Sequence, residues 1–209
     1  FRAAFINQAN DVHPPLYYCL LHLVCAFFPN TVYSPVPGIL LNLVFLLFAD
    51  ILLYYIARAL TGSFLGAAGA LIFWGLSASC LSNAVLIRMY MLQTAQILAV
   101  VAYHIYQRGK KKHNVIDALI LVALITTGGL THYYFYMFAA AFGMCICLDL
   151  ILSKRYKLFL EYAIAMWSGV ALALVIFPAT ITRHLNGYRG SYATDSIGSF
   201  SLNKFKMYF

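Results

Sequence analysis

Residues 39–60 read ILLNLVFLLFADILLYYIARAL, and this stretch decides the fold class. A helix rises about 1.5 Å per residue, so a run of this length crosses the roughly 30 Å hydrocarbon core of a bilayer. No polar face recurs at every turn, as it would on the helix of a soluble domain. Asn42, Asp50 and Arg58 interrupt the run singly. An acid inside a span is costly and is normally paired. Asp50 is therefore expected to contact Asn42, a tyrosine or a neighbouring helix; the functional alternative is an ion path.

Working outward, comparable apolar runs follow at 64–84, 88–107, 115–131, 133–153 and 159–181. The chain has 63% hydrophobic and 10% charged residues among 209, which excludes an ordinary soluble domain. The expected fold is all-α: a polytopic bundle of about six spanning helices, with a further helix lying in the interface. Cys19, Cys25, Cys80, Cys145 and Cys147 fall inside apolar segments without a CxxC pair, and read as small core residues. Neither Phe1 nor Phe209 resembles a natural terminus, so the chain is expected to be an internal piece of a longer protein.

The net charge of +8 is a topology signal rather than a nucleic-acid footprint, because the basic residues sit in short loops. Thr61-Gly62-Ser63, Arg108–His113 and Ser153–Lys157 alternate along the chain and so share one side. The positive-inside rule makes that side cytoplasmic, with Arg58 in support. Residues 1–38, the bends at 84–88 and 130–133, and the tail 182–209 then lie outside. The apolar part of the first segment, 16–28, is short of a span at about 20 Å. A helix over roughly 14–28 is expected in the outer interface, with Tyr17, Tyr18 and His22 meeting headgroups.

Polar signatures gather on this outer side. In Asp11-Val12-His13-Pro14-Pro15-Leu16-Tyr17-Tyr18 the prolines fix the backbone just before a helix start, where partial positive charge favours anions. A turn with an N-terminal stop explains the same residues. Arg88-Met89-Tyr90 opens a helix with a guanidinium that either snorkels to lipid phosphate or grips a phosphate substrate. Thr131-His132-Tyr133-Tyr134 follows Gly128-Gly129 at a tight turn, where tyrosines commonly anchor the interface and a histidine is commonly structural. Arg183, His184 and Arg189 then lie just past the last span, and fit an anionic ligand or lipid headgroups.

In the order DVHPPLYYCLLH (11–22), IRMYML (87–92) and THYYFY (131–136), the chain resembles GT-C glycosyltransferases of the protein-mannosyltransferase type. Bacterial relatives include aminoarabinose and lipopolysaccharide-core sugar transferases. The resemblance covers about 11–189. It implies a GT-C-like bundle with its active site on the outer face. The donor would be a polyprenyl-phosphate-linked sugar and the acceptor a lipid, glycan or protein, with membrane lipids around it and no nucleic acid. It also implies that the principal carboxylate lies upstream of Phe1, which would leave this piece inactive alone. Leu86 stands where many relatives carry glutamate, with Asn83 the nearest polar substitute. Some relatives hold a divalent metal at positions matching His13 and His184.

Transfer of this kind is a single displacement at the anomeric carbon, needing a carboxylate for the acceptor proton and cations for the departing phosphate. Asp50, Asp117, Asp149 and Glu161 fall in or near cytoplasmic helix halves, leaving Asp11 as the best outer acid for the catalytic set. Arg88 comes first for the donor phosphate, then Arg183, Arg189 and His132, with Tyr17, Tyr90 and Tyr133 in support. Two other classes stay open: a lipid or small-solute transporter, and a non-catalytic membrane assembly subunit. The expected location is the bacterial cytoplasmic membrane.

Overall fold

The computed structural model describes residues 2–9, 13–28, 33–110 and 114–186. Among them every regular element is an α-helix: α1 (Arg2–Ala9), α2 (Leu16–Ala26), α3 (Val36–Thr61), α4 (Phe64–Gly75), α5 (Ala78–Val85), α6 (Tyr90–Arg108), α7 (Val115–Gly129), α8 (Tyr134–Leu152), α9 (Tyr156–Ile176) and α10 (Ala179–Asn186). Three of these, α3, α8 and α9, are long and apolar enough to cross a membrane. Leu47, Phe48 and Ile51 of α3 and Ile164 and Trp167 of α9 are exposed. Such a surface suits hydrocarbon and would aggregate in water. The chain has the helices of an integral membrane protein.

The expected count of six spans meets a physical difference at three places. Residues 64–84 are not one straight helix, because α4 and α5 meet at a 61° bend. The Ser77 hydroxyl donates to Trp74 O (2.6 Å) and accepts from the Cys80 amide (3.1 Å). It thus caps α5 after Gly75-Leu76 has ended α4. Taken as one broken span, the pair gives a fourth crossing by length and composition. α6 is less apolar because Gln93, Gln96 and Gln107 are buried in it. α7 has 15 residues, below the length of an ordinary span. Near the far end, α9 stops at Ile176 rather than 181, where Phe177-Pro178 breaks the helix before α10.

The helices are placed by their packing. α3 lies along α6, and α7 along α9, in the two most extensive contacts. A core of Val100, Leu121, Ile125, Phe135, Tyr162 and Ala165 joins α6 to α9. A second cluster of Tyr17, Leu41, Met89 and Leu92 joins α2, α3 and the start of α6. α1, which the sequence pattern did not announce, sets Phe5 edge-on against Phe177 at 5.2 Å.

The basic loops collect at one end of the bundle. Lys110 contacts Asp117 at 2.6 Å, Arg108 approaches Asp149 at 3.9 Å, and Lys157 reaches Glu161 at 3.8 Å. The Asp117 carboxylate raises the Lys110 pKa. It also completes a capping box with Asn114 at the start of α7. These three acids therefore have structural partners. Of the cysteines, Cys80 is buried, while Cys25 and Cys145 are exposed rather than core residues.

Candidate functional site

At the opposite end, the three polar motifs come together. Pro14 and Pro15 are both buried, and Pro15 caps α2. The Leu16 amide donates to the Leu130 carbonyl at 3.0 Å, which ties the start of α2 to the α7–α8 turn. The His13 ring then lies 5.9 Å from the His132 ring, and the Tyr90 ring is also 5.9 Å from His132. Tyr133 and Tyr134 surround the same imidazole at 6.4 and 4.7 Å.

His132 owes its position to the glycines before it. A Cβ on Gly128 would run into the Phe135 ring, and one on Gly129 into Tyr136. Their absence lets the first turn of α8 pack directly on the last turn of α7, and the chain reverses within residues 130–133. The Thr131 hydroxyl, fully buried, donates to Thr127 O at 2.9 Å and closes the turn. His132 is itself only 6% exposed. Its Nδ1 accepts from the Tyr134 amide at 3.1 Å, so Nε2 is the nitrogen that carries a proton. An imidazole in that tautomer is a hydrogen-bond donor at Nε2.

Tyr17 turns inward, against the expectation that it meets headgroups. It is fully buried, and its hydroxyl donates to Asn42 Oδ1 at 3.1 Å. The reason is the proline-set entry of α2, which lays this face on α3 and α6. Burial pushes the Tyr17 phenol up to about 12, so it stays a donor at physiological pH. His22 on the same helix is exposed. Asn42 is also fully buried and spends its carboxamide on Tyr17 and on the carbonyls of Asn83 and Leu86. Asp50 therefore does not pair with Asn42. Its carboxyl group instead faces the Trp74 indole N–H of the neighbouring helix α4, in a contact outside strict hydrogen-bond geometry.

Arg88 lies between Ile87 and the fully buried Met89, and is exposed. Among the described residues no carboxylate pairs with it. Asp11 and Arg189 lie outside the described residues. Arg183 and His184 fall in α10, but their side chains are not described. The proposed His13–His184 metal pair therefore rests partly outside the described residues. No group of three or more His, Cys, Asp or Glu side chains among the described residues could hold a metal. His13 and His132 supply two nitrogens, where a zinc site uses three or four protein ligands. The described residues do not complete a metal centre.

An apolar furrow of about 910 Å³ leads away from this end between α8 and α9. Tyr133, Tyr134 and Thr180 stand at its head, Gly143 and Cys147 floor it along α8, and Met166 and Trp167 wall it along α9. The furrow of hydrocarbon character thus begins beside the His132 cluster, with Tyr133 and Tyr134 shared between the two. Sequence reading missed Asn42 as part of this site. Its signal was an amide alone in the first third of an apolar run. No protein-family model, curated protein or solved structure matches the chain.

Proposed function

We propose that this chain is part of a GT-C-type integral-membrane glycosyltransferase. It would move a sugar from a polyprenyl-phosphate donor to a lipid, glycan or protein acceptor on the outer face of a bacterial cytoplasmic membrane. The observation that carries the reading is the meeting of His13, Tyr90 and His132 from three separate motifs. The furrow beginning at the neighbouring Tyr133 supports it. The reading takes α3, the broken α4–α5, α6, α7, α8 and α9 as six crossings, with the basic loops in the cytoplasm. The buried glutamines of α6 then face protein rather than lipid.

In this reaction the acceptor oxygen attacks the anomeric carbon, and the bond from that carbon to the phosphate oxygen breaks. The electron pair leaves with the polyprenyl phosphate. Arg88 and the His132 Nε2–H steady the departing phosphate, with Arg183 and Arg189 following on the same side. Asp11 belongs with the carboxylates that receive or orient the acceptor proton. The test is transfer of a labelled sugar from polyprenyl phosphate by the full-length protein in proteoliposomes, with polyprenyl phosphate released in step.

Translocation of a lipid or solute is the second reading, favoured by the 61° break between α4 and α5. Movement of the labelled lipid between leaflets without sugar transfer would establish it and remove the transferase reading.

A further inference from the structure

Asn42 stands 20 or more residues from every motif of the site in sequence, yet its carboxamide touches two of them or their flanks. A fully buried amide in an apolar helix is costly unless satisfied. Asn42 has 0% exposure, and both ends of its side chain are used. Oδ1 accepts from the Tyr17 hydroxyl at 3.1 Å, and Nδ2 donates to Leu86 O at 2.5 Å and to Asn83 O at 3.4 Å.

The Leu86 carbonyl has a second donor. The Arg88 amide reaches it at 2.7 Å, closing a three-residue turn of the inverse-γ kind. One carbonyl oxygen, with two lone pairs, thus takes the Asn42 amide and the Arg88 backbone together. The residues on either side of Arg88 are also fixed. Ile87 packs where Gly38 has no side chain, so closely that a Cβ there would lie 2.6 Å from it. Gly38 is one helical turn before Asn42 on α3. Met89 is fully buried in the cluster with Tyr17 and Leu41. Arg88, between two anchored residues, is left exposed.

We infer that Asn42 is the positioning residue for Arg88: its carboxamide bridges Tyr17 of α2 to the Leu86 carbonyl and so fixes the turn that presents the guanidinium. The inference rests on the proposed transferase only for what Arg88 does, not for how it is held. It assigns the buried Tyr17 a place in the same bridge. It also gives α3, a helix with no residue in the three motifs, control over the site.

The experiment is a double-substitution cycle in the full-length protein, run once the unsubstituted protein has shown sugar transfer. Asn42→Ala alone is expected to lower kcat by about tenfold to a hundredfold, the scale of a lost hydrogen bond to a charged or buried group. In an Arg88→Ala background the same change is expected to cost less than about threefold further, because the residue it positions is gone. Equal losses in both backgrounds overturn the inference, since a purely structural amide would act independently of Arg88. If Asn42→Ala does not fold, Tyr17→Phe replaces it in the same cycle, with the same two outcomes.

A second measurement separates this failure from failure of the transferase reading. A spin label on Arg88→Cys is expected to be restrained with Asn42 present and mobile with Asn42→Ala. Absent transfer in every protein, together with that mobility change, sinks the enzyme and keeps the positioning role. Unchanged mobility sinks the positioning role.

Discussion

Replacing Arg88 with alanine separates function from folding because the side chain is exposed and has no described carboxylate partner. Exposed substitutions away from caps and networks move stability by roughly 0.5 kcal/mol or less. The backbone turn at 86–88 is held by the Leu86 carbonyl and does not need the guanidinium. Expression and melting temperature should therefore stay within error of the unsubstituted protein. Removing a preorganised donor from a developing oxyanion costs about 2.7–4 kcal/mol, or about a hundred- to a thousandfold in kcat. Arg88→Lys keeps the charge but loses the planar fork, and should fall between the two proteins. The assay is initial-rate sugar transfer from labelled polyprenyl-phosphate donor in proteoliposomes, at matched protein content. A loss below about threefold in Arg88→Ala would refute the reasoning and return Arg88 to the role of a lipid anchor.

Three further expectations follow from the same geometry. His132→Gln retains an N–H near the Nε2 position and should keep more transfer than His132→Ala, by about tenfold; equal rates would show that Nε2 donates to no reacting group. Gly143→Leu fills the furrow floor against Met166 and should raise KM for a long-chain donor while sparing a short-chain analogue. An equal effect on both donors would detach the furrow from the substrate. In the proposed topology a cysteine placed at Tyr134, which is 61% exposed, should react with an impermeant thiol reagent on intact cells, and one at Arg155 only after the cells are opened. The reverse result inverts the topology.

What the sequence showed was set by physics acting over one helix or one turn. Apolar length alone announced α3, α8 and α9, and Thr131-His132-Tyr133 between two helices announced the turn. The break at Gly75–Ser77 was written in Gly and Ser residues, but a serine within a long apolar run also fits a continuous span. Only the capping of Cys80 by Ser77 distinguishes the two. α6 looked like a span of ordinary polarity because the sequence does not tell which neighbour covers Gln93 and Gln96. Tyr17 could have met headgroups or protein, and the choice depends on how Pro14 and Pro15 aim α2. Asn42 was visible as an oddity and invisible as a partner, since its contacts lie in residues 17, 83 and 86. Such long-range pairing is carried by tertiary packing and not by local pattern.

The brevity of α7 has a consequence for where chemistry would take place. Its 15 residues rise only about 22 Å, some 8 Å less than the hydrocarbon thickness of roughly 30 Å. In the proposed topology, where α7 crosses with its Asn114 cap at the inner boundary, the loop bearing His132 would be sunk below the opposite surface instead of standing on it. The bilayer would then either thin there or leave a dimple that admits water. A donor phosphate at headgroup level would have to descend into that dimple, trading lipid neighbours for protein donors on the way down.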